Sequence, residues 1–411
     1  MTFVRQKFQK SKINDIKATV RAAISQLPLH IKPGDSVAIT AGSRGISKID
    51  MVTLSCIEYL SGIGLKPFII PSMGSHGGAT ASGQLDILEK LGISEPSMSV
   101  PIRSEMDVTC VGELSCGMKV LLSTPAIKAD HIVVINRIKP HTKFMADIES
   151  GLCKMMSVGL GKAEGAALFH RAAVKHSFGI IEEAATLIID KCNVLFGIAL
   201  IEDVCGNLSH IEAISPELII KREKALFKKA SDNMGRIPFD SIDLLIVDVI
   251  GKNISGIGMD SNVTGRHRDI TGDFKIPPKV DRIFVRDLAP GSDGNANGIG
   301  LADFTTQRLV DAIDMKKTYI NAVTAISPEK AAIPIHFDRD VDAIDACAKT
   351  LGLESLQQAR IVRIKNTSSL EVLQVSKHFE SEISGNNNLE IISPWQPLDF
   401  DEKGNISPAM P

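Results

Sequence analysis

Ser36-Val-Ala-Ile-Thr-Ala41, followed at once by Gly42-Ser-Arg-Gly45, is the stretch from which the fold is read. Its apolar residues do not alternate with polar ones, as they would on a strand with one wet face, so the run reads as a strand buried on both sides. A helical pattern follows from about Ile49 to Leu60, and Lys66-Pro-Phe-Ile-Ile-Pro71 is a second strand of the same kind. The loop 72–78 leads into a helix over about 82–91. His131-Ile-Val-Val-Ile-Asn136 and Asn193-Val-Leu-Phe-Gly-Ile-Ala-Leu200 then repeat the strand pattern. Buried strands separated by helices predict an α/β fold with a mainly parallel sheet.

A charged helix over about 216–230, with Lys221-Arg-Glu-Lys224, reads as solvated and leads to a linker over 233–240. A second α/β run opens with Leu244-Leu-Ile-Val-Asp-Val-Ile250, continues with Arg282-Ile-Phe-Val-Arg286 and predicts a helix near 301–315. Four prolines (394, 397, 408 and 411) make the tail irregular. With 411 residues the chain is too long for one ordinary core. The expectation is two α/β lobes, 1–238 and 239–411, with the active-site cleft between them.

A formal net charge of -2 gives no bulk attraction for nucleic acid or an anionic membrane, and Trp395, Tyr59 and Tyr319 offer few stacking surfaces for bases. The first ten residues lack the apolar core of a signal peptide, and no run approaches the roughly 18 apolar residues of a membrane helix. Seven scattered cysteines without a CxxC pair argue against a disulfide framework or structural zinc. A cytoplasmic protein acting on a small molecule is expected, with neither nucleic acid nor membrane as partner and a homo-oligomer left open.

In open parallel sheets, function gathers in loops beyond the carboxyl ends of strands. Met73-Gly-Ser-His-Gly-Gly-Ala79 sets His76 among glycines just after a strand, and Asn136-Arg-Ile-Lys-Pro-His-Thr142 does the same for His141. Either could be a surface turn that happens to contain a histidine. Two in equivalent places suit general bases working on opposite faces of one substrate. Glu149-Ser-Gly-Leu-Cys-Lys-Met-Met-Ser-Val-Gly-Leu-Gly-Lys162 is apolar yet carries Lys154, either a snorkelling lysine or a desolvated amine available for covalent work. His170 lies sixteen residues beyond Lys154. In the second lobe, Lys252, Arg266 and Arg268 of the loop 251–268 either face solvent or bind an anion, arginine through its fork.

Taken together, Gly42-Ser-Arg44, Gly74-Ser-His76, Pro140-His141, Ser150-Gly-Leu-Cys-Lys154 and His170 occur in an order that resembles the nickel-pincer lactate racemase superfamily. The resemblance implies a racemase or epimerase of a 2-hydroxy acid working through a 2-keto acid, with a nickel-pincer nucleotide (a pyridinium thiocarboxylate mononucleotide holding nickel) as cofactor. It implies that the first lobe carries the cofactor and both catalytic histidines, His76 and His141, which exchange the hydroxyl proton. Lys154 would form the thioamide link and His170 would ligate nickel, with Ser43, Gly74 and Gly151 beside the nucleotide. Arg44 would hold the substrate, joined by Lys252 and Arg266 of the second lobe. The polar second-lobe loop favours a sugar acid or another polar hydroxy acid over lactate. The rival readings are a hydrolase or lyase with zinc or iron on His76, His141 and His170, and a non-catalytic two-lobed binder of small acids.

Overall fold

In the computed structural model, which describes residues 1–43, 45–270 and 276–411, the chain forms two compact units. One comprises Lys10–His141 and Met145–Met234. The other comprises Met1–Gln9, Thr142–Phe144 and Gly235–Pro411. The α/β class with mainly parallel sheets is as the strand pattern implies.

The first unit is built on a five-stranded sheet in the order Lys66–Pro71, Ser36–Ala41, His131–Arg137, Val194–Glu202, Leu208–Ile214. The first four strands are mutually parallel and the last is antiparallel. Val37, Ile39, Val133 and Ile135 on one face and Ala38, Thr40, Ile132 and Val134 on the other are all buried, which is why these runs lack polar alternation. Helix Ile49–Gly62 lays Val52, Cys56 and Leu60, four residues apart, on this core. Helix Ala81–Lys90 starts where the Thr80 hydroxyl accepts the Gly83 amide.

The second unit holds an eight-stranded sheet: Ile335–Phe337, Phe304–Thr306, Lys279–Leu288, Ser241–Ile250, Ile361–Ile364, Val372–Val375, Thr2–Gln6, Leu389–Ile391. The first five strands run parallel and the remainder pair antiparallel. The opening residues of the chain thus supply a strand to this unit.

One sequence expectation needs correction here. The helix expected near 301–315 is broken into strand Phe304–Thr306, a short helix Gln307–Asp311 and a separate helix Met315–Thr324. Thr306 and Asp314 each accept an amide three residues on, so each starts a new helix. The tail is irregular at all four prolines, as expected, apart from the pairing of Asp399–Phe400 with Ile406–Ser407, where Ile406 is buried. Among the described residues, no helix is long and apolar enough to cross a membrane.

Candidate active site

Three neighbouring parallel strands of the first unit, Lys66–Pro71, Ser36–Ala41 and His131–Arg137, end on the same edge of the sheet. The loops that leave this edge carry His76, Ser43 and His141 respectively. Ser43 Oγ and His76 Nδ1 share a short hydrogen bond. If Nδ1–H is the donor, Nε2 keeps its lone pair and can accept a proton. His76 is exposed and extended, while Gly74 sits buried at φ +60°, in the left-handed region that glycine enters freely.

The loop after Ala41 is tied down from the neighbouring strand ends. Glu202 accepts the Ser47 amide at 2.6 Å and pairs with Arg137. Arg44 lies outside the described residues. The His141 loop is closed by Glu149, whose buried carboxylate accepts the amides of His141 at 2.6 Å and Ala146 at 3.1 Å. The three residues that follow His141 belong to the second unit. There the Ser261 hydroxyl donates to Thr142 O at 2.9 Å, and Lys143 lies 3.5 Å from Asp269.

Segment 151–162 meets these loops from below. It opens with the one-turn helix Leu152–Lys154, passes through a π-helical turn Met155–Gly159, and enters helix Lys162–His176. Single π turns within helices are frequent at functional sites. A Cβ on Gly42 would lie 3.0 Å from Met155 Cε, and the Gly74 amide donates to Gly159 O at 3.3 Å. The Asn136 amide donates to Gly151 O at 2.7 Å. Ser43, Gly74 and Gly151 therefore sit on backbone that converges on the stretch beginning at Lys154. Lys154 and His170 are both half-buried, His170 within helix Lys162–His176 with its ring edge-on to Phe169.

Sequence reasoning missed two groups here. The lysine shut fully inside this segment is Lys162, at 0% exposure, rather than Lys154. Glu223, placed on the solvated helix by its charged neighbours, is 1% exposed. Its Oε2 accepts the Cys153 amide at 2.9 Å, and among the described residues its Oε1 has no hydrogen-bond partner. A readable signal existed: Ile219, Glu223, Leu226 and Ala230 recur at helical spacing, so Glu223 falls on the apolar stripe. Burial drives the Glu223 carboxyl up to about 7, with the Cys153 amide opposing. A Cβ on Gly151 would lie 2.0 Å from Glu223 Oε1, so only glycine fits over this carboxyl.

The second-unit residues expected at the substrate are engaged within their own unit. Arg266 pairs with Asp303 and donates to the carbonyls of Val280 at 2.9 Å and Asp281 at 3.1 Å. Lys252 donates to Gly256 O at 2.5 Å and to Asn321 Oδ1 at 2.6 Å. A substrate carboxylate would have to displace these partners. Among the described residues, no three His, Cys, Asp or Glu side chains are grouped to hold a metal ion, so the reading of His76, His141 and His170 as a direct zinc or iron site gains no support.

No family model matches the chain, and no curated protein matches it. Seven chains of solved structure do. Among them is the lactate racemase apoprotein from Thermoanaerobacterium thermosaccharolyticum, at 14% identity and a TM-score of 0.52, over 89% of this chain and 94% of that one. At that identity the likeness concerns the fold alone. The chain therefore has a lactate racemase-like α/β fold, and a fold alone does not fix an activity.

Proposed function

We propose that the chain is an isomerase that racemises or epimerises a 2-hydroxy acid through a 2-keto acid. The observation that carries this is the placing of His76 and His141 on loops leaving one edge of one parallel sheet, with Ser43 bonded to the His76 ring between them. The lactate racemase-like fold agrees with this reading.

The residues present suit a nickel-pincer nucleotide. The donor set is one primary amine, Lys154, and one imidazole, His170. Both are half-buried, one just ahead of the π turn and the other on the helix after it. Lys154 would carry the thioamide link and His170 would reach the nickel. When bound, such a nucleotide supplies a carbon able to accept and return hydride, which no side chain provides. The chain's own task is proton transfer. One histidine takes the hydroxyl proton at a ring nitrogen as the C–O bond becomes a carbonyl, and the other returns a proton to the carbonyl oxygen as the opposite configuration forms. Ser43, by holding Nδ1 of His76, keeps Nε2 as the acceptor. Arg44 would anchor the substrate carboxylate, and a fixed carboxylate is what lets the central carbon invert in place.

The test is to load purified protein with the nucleotide and nickel and offer a panel of 2-hydroxy acids, sugar acids included. Configurational scrambling of at least one acid, lost in both His76→Gln and His141→Gln, is expected. Scrambling that survives either substitution would remove the two-base reading. A loaded protein that binds acids without scrambling any would favour the binding-module alternative.

A further inference from the structure

We propose that Lys162, acting through Gln84, is the positioning residue of the His76 turn. This rests on the reading of His76 as a proton acceptor.

Lys162 Nζ donates to Pro71 O at 2.8 Å and approaches Gln84 Oε1 at 3.5 Å. Gln84, also 0% exposed, turns its amide the other way and donates to Gly74 O at 2.9 Å and His76 O at 3.4 Å. One buried chain of side chains thus holds the last residue of the strand and both ends of the Gly74–Ser75–His76 turn. Gln84 thus gives the Gly74 and His76 carbonyls a buried donor, and a turn free to rotate would not aim an imidazole. The same lysine starts the helix that bears His170, so one residue joins the histidine turn to the opposite arm of the site.

Stability does not account for Lys162. Its ammonium is enclosed with a carbonyl and an amide oxygen as its partners, and among the described residues no carboxylate lies within ion-pair distance. Burial alone lowers it to about 8, with the more distant Glu105 opposing. Its backbone is also strained, at φ +53° in a region where non-glycine residues are uncommon. A methionine would fill the same space without either desolvated charge or lost hydrogen bonds to water. A costly charge and a strained backbone at one residue beside a site loop are what a positioning role requires.

The experiment uses the full chain with ¹⁵N-labelled histidine, with the His76 signal assigned by its loss in His76→Gln. Wild type, Lys162→Met and Gln84→Met are compared for three quantities: the His76 ring ¹⁵N shifts, which report tautomer and the Ser43 bond; amide exchange at residues 73–79; and the thermal midpoint. The expected result for Lys162→Met is an unchanged or higher midpoint, with His76 shifted toward mixed tautomers and exchange at 73–79 faster by at least tenfold. Gln84→Met should reproduce both local changes. In the nucleotide-loaded enzyme, kcat should fall by at least tenfold with little change in KM. Unaltered His76 shifts and turn exchange in both variants would overturn the proposal, as would exchange accelerated uniformly across the first unit. If His76→Gln retains activity, the base reading fails while the ring shifts still judge the strut.

Discussion

The backbone amide of Cys153 donates to Glu223 Oε2 at 2.9 Å, one residue ahead of Lys154. A fully enclosed carboxyl thereby sets the backbone from which the proposed cofactor lysine departs. Because Oε1 has no partner among the described residues, the neutral carboxylic acid is the form this pocket favours.

That pairing gives stability a pH dependence whose sign is fixed. Burial raises Glu223 to about 7, above its ordinary 4.5, so between those values the folded chain holds a proton that the unfolded chain has released. This contribution is fully present below about pH 4.5 and is lost as pH rises through about 7, amounting to roughly 3 kcal/mol in all. Glu223→Gln should remove the slope. Denaturant midpoints at pH 5 and pH 8 check it, and parallel profiles for variant and wild type would refute it.

Gly151→Ala should destabilise by about 1–3 kcal/mol, the usual cost of overpacking, because its new carbon would lie 2.0 Å from Glu223 Oε1. Combining it with Glu223→Ala should recover part of that loss. Strict additivity in a double-mutant cycle would show that the two positions do not meet.

The sequence made the first unit's strand ends legible because those runs are buried on both faces, and the loops after them follow from parallel topology. Glu223 was legible only through its place on the apolar stripe of Ile219, Leu226 and Ala230, and Lys162 not at all, since charge in a sequence reads as exposure. What buries them is a close backbone approach at Gly151 and the helix turn at Lys162, both set by tertiary contacts. The break between Asp311 and Met315 was hidden for a related reason: the apolar pattern runs on across it, and only the Thr306 and Asp314 side-chain bonds mark new helix starts.

Ser43→Ala should leave the fold intact and reduce kcat of the loaded enzyme about tenfold, the scale of one lost hydrogen bond at the His76 ring. The fall should appear in kcat rather than KM, because the bond orients the base and does not touch substrate. A rise in KM with kcat unchanged would instead place Ser43 at the substrate.

Arg266→Ala should act on stability. Its guanidinium serves Asp303 and the carbonyls of Val280, Asp281 and Leu301; Asp303 keeps the Ile283 amide and Asp281 O keeps Arg282, so the loss costs about 1–2 kcal/mol by chemical denaturation. Residual kcat/KM per folded molecule should stay within about twofold of wild type. A selective loss toward polar substrates at unchanged stability would return Arg266 to the substrate site.

Asp340→Ala should release the tail. The Asp340 carboxylate, 0% exposed, accepts Arg286 Nε at 2.7 Å, Arg308 Nη2 at 2.6 Å and the Ile406 amide at 3.0 Å. Arg286 passes on to Asp248 at 2.9 Å, and Arg363 grips Asp248 with two 2.8 Å bonds while donating to Pro408 O at 3.0 Å. The tail is therefore held at both Ile406 and Pro408 by one chain of alternating charges. Removing this carboxylate takes one partner from each of two guanidinium groups, Arg286 keeping Asp248 and Arg308 keeping Asn405, and takes the acceptor from the buried Ile406 amide, a change that costs about 1–3 kcal/mol. The loss should be local before it is global, because Arg363 and Asp248 keep each other. Limited proteolysis should then cut the variant near residues 399–411 under conditions that leave wild type whole, with denaturant unfolding giving the total cost. Asp340→Asn retains the acceptor for Ile406 and should protect the tail better than alanine does. Equal cleavage of the alanine variant and wild type would show that the hairpin, rather than the charge chain, keeps the tail in place.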